Sequence, residues 1–117
     1  MRYNWGRGLL DSKTSNVKKK EVKMMTLHLP LKKNWYEMIE RGEKPEEYRE
    51  IKPYWADRLC NVADGTFKPY THVCFHYGYT KRTMTFEIKR MSIGIGNPAW
   101  GAPDYEVFII GLGGMTN

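Results

Sequence analysis

One segment constrains the fold of this chain more than any other, because it is apolar on both of its faces. This segment, residues 105–112, contains the longest apolar run in the sequence, Val107–Leu112. A strand with one buried face alternates apolar and polar residues, whereas a continuous apolar run predicts a strand buried on both faces inside a sheet. The run is also far shorter than the ~20 residues that a membrane-spanning helix needs. We therefore expect a sheet with this segment in its interior, and no membrane span.

The remaining periodic segments alternate between strand and helix and then continue as strands. The first helix has Trp35, Met38 and Ile39 at positions i, i+3 and i+4, and Gly42 follows where helices usually end. In chain order, the sequence predicts a strand with Leu27, Leu29 and Leu31 on one face, a helix over 35–41 capped by Asn34, a strand over 46–51, a helix over 53–59, and strands over 72–77 and 83–90. Only the first part of this order can use parallel crossovers. The predicted fold class is therefore α+β, a small, mostly antiparallel β-barrel with two or more short helices packed on it.

Length and charge divide the 117 residues into a tail and one domain. Residues 1–24 contain seven basic and two acidic side chains and no apolar periodicity, which predicts a disordered basic tail. This tail supplies five of the six net positive charges, and the predicted domain, residues 25–117, supplies only one. The tail could touch phosphates through its lysines, but a tail without function is the simpler interpretation. The net charge therefore gives no evidence for a basic surface on the domain.

The cysteines and histidines set the expectations about compartment and metal. Cys60 and Cys74 form no CxxC pair, and the N-terminal segment lacks the apolar stretch of a secretory signal, which is typical of a cytoplasmic protein. His72, Cys74 and His76 share one face of a predicted strand, as zinc ligands could. The four steps from His72 to His76 span ~13 Å, so these three side chains cannot bind one ion together, although two of them could bind it with partners from elsewhere. We predict a polar strand face with no metal and no cofactor, and we interpret His28 as a hydrogen-bonded side chain.

A short charged motif with the pattern G-x-K-x-x-E-x-R follows the first predicted helix. Its four defined positions are Gly42, Lys44, Glu47 and Arg49. The motif leads from an aromatic-bearing helix into a strand, and the sequence later provides Trp100-Gly101 and a final strand over 107–113. In these features residues 25–113 resemble the ASCH family of the PUA-like superfamily. The resemblance implies a PUA-like β-barrel and makes RNA the expected partner.

The charged residues of the motif would converge at one end of the sheet. Glu47 and Arg49 point to the same face of their strand, and Lys44 projects from the turn that follows Gly42. Arg49 offers the planar fork that suits phosphate or a base edge. These residues could equally form a structural ion-pair network, and the resemblance to the ASCH family favours a site. The candidate ligand-binding or RNA-binding residues are Lys44, Glu47, Arg49, Tyr48, Lys52, Tyr77, Tyr79, Lys81 and Arg82, and Tyr54, Trp55 and Arg58 add aromatic and basic side chains nearby.

The resemblance implies two classes of function. The first is an RNA-binding module that uses a cleft around the motif. The alternative is a small metal-independent enzyme, a ribonuclease or an amidohydrolase acting on N4-acetylcytidine-like substrates, with Lys44 and Glu47 as catalytic residues. The amidohydrolase branch uses a threonine nucleophile in this stretch, and Glu47 stands in its expected place, which counts against the same chemistry. A pocket for a modified nucleoside is a third class, and the sequence leaves the oligomeric state open.

Overall fold

A computed structural model of the chain describes residues 23–116 and contains five strands and two α-helices in that range. The elements are β1 (Thr26–Leu31), α1 (Lys33–Glu40), β2 (Glu46–Glu50), α2 (Pro53–Leu59), β3 (His72–Tyr77), β4 (Thr83–Gly94), a short 3-10 helix (Pro98–Trp100) and β5 (Val107–Thr116). Their order is the one that the sequence predicts. Neither α-helix in this range has the length and apolar character that crossing a membrane requires. The predicted tail lies, up to residue 22, outside the described residues.

The five strands form one sheet in the order β1-β3-β4-β5-β2. Three neighbouring pairs are antiparallel, and β1 and β3 run parallel because α1, β2 and α2 lie between them in the sequence and provide the crossover. The sheet curls into a half-barrel, which confirms an α+β fold with a mostly antiparallel, barrel-like sheet and two helices. The interior position of Val107–Leu112 is also confirmed, since β5 pairs with β4 on one side and with β2 on the other. Tyr105 and Glu106, which the prediction included, precede the strand and are exposed.

The main core lies between the sheet and the two α-helices, and β1 shows how the sequence creates it. Leu27, Leu29 and Leu31 are buried, whereas His28 and Pro30 between them are exposed, as the alternation predicts. Burying one leucine side chain contributes about 1.5–3 kcal/mol. This one-sided burial fixes the register of β1 and leaves its other face to polar side chains.

α1 turns a different side chain toward the core from the one that its periodicity predicts. Tyr36 and Ile39 are buried, whereas Trp35 and Met38 of the predicted stripe are half-buried. The ring of Tyr36 packs edge-on against Tyr77 of β3, with 4.9 Å between ring centres. This contact comes from a strand that is distant in the sequence, so the helical period alone could not reveal it.

The boundaries of two elements also differ from the predicted ones. Asn34, the predicted cap of the first helix, lies inside the first turn of α1. β4 continues to Gly94 instead of ending at residue 90, and its pairing with β5 shifts register on either side of Ile88. Such irregularities insert a residue and break the alternation of faces while the strand continues, which explains why the sequence pattern ends too early.

Two arginines connect the edge strand β1 to β2 and to α2. Arg49 of β2 donates a hydrogen bond to the carbonyl of Pro30 on β1 (3.1 Å), and Arg58 of α2 donates one to the carbonyl of His28 (2.7 Å). The ring of Trp55 lies 4.9 Å from the guanidinium carbon of Arg49 and 5.9 Å from that of Arg58. These side chains therefore bridge the gap between the β1 edge and the β2 edge of the sheet.

Candidate functional site

The charged motif begins at the C-terminus of α1, where Gly42 ends the helix as predicted. The amide of Gly42 donates to the carbonyl of Ile39 (3.0 Å), and the amide of Glu43 donates to the carbonyl of Met38 (2.9 Å). Gly42 has a φ of +83°, and these features together form a Schellman cap. The cap reverses the chain, so the side chain of Lys44 enters the protein.

Lys44, Glu47 and Arg49 converge as the sequence predicts, but two of them lie in the interior. The carboxylate of Glu47 is 3.2 Å from the Lys44 ammonium and 3.0 Å from the Arg49 guanidinium. The Lys44 ammonium also donates a hydrogen bond of 2.6 Å to the carbonyl of Trp100. Lys44 is 2% exposed and Glu47 is 6% exposed, so neither side chain reaches the surface. The three residues form a buried ion-pair network that ties β2 to the 3-10 helix.

Aromatic rings complete the surroundings of Lys44. Its ammonium lies 4.5 Å from the ring centre of Tyr48 and 5.3 Å from that of Trp35, distances at which a cation is attracted to the ring face. Burial lowers the pKa of Lys44, and the carboxylate of Glu47 opposes that shift. Burial likewise lowers the pKa of Arg49, again against the influence of Glu47. Lys44 is thus held by a carboxylate, a carbonyl and two rings, as a structural cation would be.

Arg49 differs from the other two because it also lines a cavity. Its Nε atom is buried and has no hydrogen-bond partner among residues 23–116. The cavity has a volume of about 370 Å³, and Lys32 and Tyr79 line it together with Arg49. A buried donor without a partner is uncommon in proteins, and the side chain to which it belongs also lines the cavity.

A second cavity adjoins the first at the turn between β3 and β4. It has a volume of about 350 Å³, and Pro30, Gly78 and Tyr79 line both cavities. Tyr79 is 98% exposed, so its ring is available for stacking. We call the two cavities together the β1–β3 groove, whose lining consists of His28, Pro30, Leu31, Lys32, Arg49, His76, Gly78, Tyr79 and Thr80.

The remaining predicted ligand residues fall into separate places. Tyr48 is buried, accepts a hydrogen bond from the amide of Asn97 and donates one to Glu46. Lys52 forms an exposed ion pair with Glu50. Both residues belong to the region of β2, and neither lines the β1–β3 groove.

At the turn between β3 and β4, two of the predicted residues are engaged by α1. Tyr77 donates a hydrogen bond to Glu37 (3.0 Å), and Arg82 pairs with Glu40 (2.9 Å). Lys81 is exposed at the same turn. Tyr79 is therefore the predicted aromatic residue that lines a cavity together with Arg49.

The sequence argument missed Lys32 as a lining residue of the groove. The available signal was its position directly after the first strand, where a basic side chain at a strand end lies close to neighbouring loops. Its relation to Arg49 and Tyr79 depends on the pairing of β1 with β3. That pairing is not contained in the local sequence.

Comparison with known proteins finds no family model, no curated protein and no solved structure that matches this chain. The resemblance to the ASCH family therefore depends on the motif and its sequence context, and it stays a prediction.

Proposed function

We propose that this chain is an RNA-binding module of the ASCH type, and that single-stranded RNA binds in the β1–β3 groove. The observation that supports this proposal most is the exposed ring of Tyr79 at a cavity lined by Lys32 and Arg49. An aromatic face next to cationic side chains is the usual means of holding single-stranded nucleic acid. The motif contributes Arg49 to this groove. Glu47 pairs with Arg49 from the protein interior, and Lys44 pairs with Glu47.

Each group in the groove has a distinct role in this proposal. A base stacks on Tyr79, which is worth about 1–3 kcal/mol and tolerates any sequence. Lys32 supplies a mobile point charge for a phosphate, and Arg49 supplies a planar fork.

The geometry does not favour catalysis by Lys44 and Glu47. Their charged groups are bonded to each other, and the Lys44 ammonium is also bonded to the carbonyl of Trp100. A general acid or base must come within hydrogen-bonding distance of the substrate, and these buried groups do not line the β1–β3 groove. A binding role that uses Arg49 and Tyr79 requires no rearrangement of this network.

The proposal is tested by titrating the full chain with a fluorescent single-stranded RNA at low salt. We expect Tyr79→Ala to weaken binding by about 5- to 100-fold through lost stacking, and Tyr79→Phe to bind like the wild type. Lys32→Ala removes one phosphate contact, so the slope of log K against log salt should fall by about 0.7. Lys89→Ala is the matched control, since Lys89 is exposed on β4 and does not line the groove.

The outcomes separate the proposal from its alternatives. All variants keep the same N-terminal segment, so its nonspecific attraction to phosphate cancels in the comparison. Equal affinity for all variants would exclude the groove as the binding site, and no binding at low salt would exclude RNA. Binding of single nucleosides but not of oligomers would indicate a modified-nucleoside pocket, and cleaved RNA on a gel would indicate an enzyme.

A further inference from the structure

Three metal-binding side chains meet on the face of the sheet that is turned away from the main core. His28 lies on β1, and Cys74 and His76 lie two positions apart on β3. The parallel register places His28 opposite Cys74, and residues two apart on a strand share a face. The whole sequence contains three histidines and two cysteines. Three of these five residues therefore meet at one place.

The distances within this cluster suit a single small cation. The imidazole nitrogens Nδ1 of His28 and Nε2 of His76 are 3.1 Å apart, and Sγ of Cys74 is 3.9 Å from Nε2 of His76. All three potential ligand atoms lie within 4.8 Å of one another. Zinc bonds of about 2.0–2.1 Å to nitrogen and about 2.3 Å to sulfur place tetrahedral ligands about 3.3–3.6 Å apart. The cluster needs only small side-chain movements to reach that geometry.

Hydrogen bonding alone does not explain the cluster well. Nε2 of His76 faces both Nδ1 of His28 and Sγ of Cys74. An imidazole nitrogen has either one proton or one lone pair, so it can make one good hydrogen bond and not two. A cation between the three atoms would use a lone pair from each of them.

We propose that His28, Cys74 and His76 bind one zinc-class divalent cation with an open fourth position. Two imidazoles and one thiolate form a borderline-soft ligand set that suits zinc. Three protein ligands leave one position for water or another small ligand. His28 and His76 line a cavity of about 350 Å³ together with Tyr79, through which a fourth ligand could enter. This inference does not depend on RNA binding.

The site is tested with the full chain, freed of metal by a chelator and kept reduced, by titration with Co²⁺ as a spectroscopic probe. We expect saturation at one ion per chain, visible bands of tetrahedral cobalt and a sulfur-to-cobalt charge-transfer band, all removed by one equivalent of Zn²⁺. Cys74→Ser should lose the charge-transfer band. His28→Gln should weaken binding by about 100-fold or more, which exceeds the usual effect of removing a group that only supports a ligand.

The other histidine and the other cysteine provide matched controls. His72 is on the same strand but bonds to Thr71, and Cys60 lies at the end of α2. His72→Gln and Cys60→Ser should therefore bind one Co²⁺ with the wild-type spectrum. Absence of saturable binding in the wild type would overturn the proposal, as would loss of the charge-transfer band in Cys60→Ser.

A second measurement covers the case in which the buried Cys74 variant fails to fold. An ion that binds only the folded state raises the unfolding temperature of the protein. Zinc should therefore raise the unfolding midpoint of the wild type and of both controls, but not that of His28→Gln, whose substituted side chain is exposed. An equal increase in His28→Gln would show that zinc binds elsewhere and would overturn the site.

Discussion

The buried ammonium group of Lys44 is unfavourable by itself, and its partners decide whether the folded state tolerates it. An unpaired charge in the interior loses its hydration without compensation. Here Glu47, the carbonyl of Trp100 and the ring of Tyr48 surround the charge. Burial lowers the pKa of Lys44, and the carboxylate of Glu47 opposes that shift. Because the loss of hydration offsets the attraction between the charges, we expect this network to add little net stability.

Removing one residue of this network should lower the free energy of unfolding by more than the intact network contributes to it. Lys44→Ala leaves Glu47 buried with one partner fewer, so the free energy of unfolding should fall by roughly 3 kcal/mol. Urea unfolding measures the change. Lys52→Ala is the control, because it breaks the exposed pair with Glu50 and should leave stability nearly unchanged. Equal effects of the two substitutions would show that the loss of Lys44 does not leave Glu47 as an uncompensated buried charge.

Gly96 is a residue whose lack of a side chain is required by packing. A Cβ atom at this position would lie 2.5 Å from the ring of Tyr48 and 2.7 Å from Cβ of Ala102. Gly96→Ala should therefore destabilise the protein by about 1–3 kcal/mol, as overpacking usually does. In Gly114→Ala the added Cβ meets no described atom within 4 Å. If thermal unfolding gave the same midpoint for both variants, the close approach of residue 96 to Tyr48 would be excluded.

At the scale of elements, α2 contacts both edge strands of the half-barrel, β1 and β2. Arg58 is the residue of α2 that bonds to the main chain of β1, and Trp55 packs on both Arg58 and Arg49. Elements with few buried contacts open locally more often than the rest of a fold. Leu59 anchors the C-terminal end of the short α2 in the main core, and Trp55 and Arg58 add contacts that hold the helix against β1 and β2.

We expect Arg58→Ala to loosen α2 and β1 without unfolding the antiparallel hairpins. Amide hydrogen exchange should become faster in Pro53–Leu59 and Thr26–Leu31, while protection in β4 and β5 is retained. Arg82→Ala is the matched control, since Arg82 pairs with Glu40 at the surface. Uniformly faster exchange in all strands would instead show that Arg58 supports the whole fold.

Local periodicity explains why the elements were predictable and where their prediction fails. The alternation of Leu27, Leu29 and Leu31 depends on one buried face, so the strand and its orientation follow directly. The inward side chain of α1 depends on Tyr77 of β3, which no window around Tyr36 contains. Bulges in β4 hide its continuation for the same reason, because pairing rather than sequence period keeps the strand extended.

At the scale of the whole molecule, contacts between distant segments decide the character of the site. The carbonyl that binds Lys44 belongs to Trp100, 56 positions away, and the partner of His76 is His28, 48 positions away. Strand geometry predicts that Lys44, Glu47 and Arg49 converge. It does not predict that Lys44 and Glu47 are buried. The spacing of His72, Cys74 and His76 argues against one ion shared by all three. The parallel pairing of β1 and β3, which no local pattern reveals, brings His28 to Cys74 and His76.

At the scale of the whole molecule, the burial of Tyr48 should control how stability changes at alkaline pH. Burial raises the pKa of Tyr48 to about 12, above the ordinary value of about 10. Between pH 10 and 12 the unfolded chain loses this proton and the folded protein keeps it, so the stability from Tyr48 is present below pH 10 and is lost as the pH rises. Burial also raises the pKa of Tyr36, with the same sign, whereas the lowered pKa of Lys44 acts in the opposite direction.

Tyr48→Phe should therefore flatten the decline of the unfolding free energy between pH 10 and 12. The phenylalanine loses the hydrogen bonds to Glu46 and Asn97, so its stability at pH 7 is lower, and the informative quantity is the slope and not the absolute value. Urea unfolding at several pH values measures that slope. The same slope in wild type and Tyr48→Phe would mean that Tyr48 ionises equally in both states, and that its burial does not govern the alkaline limit of this fold.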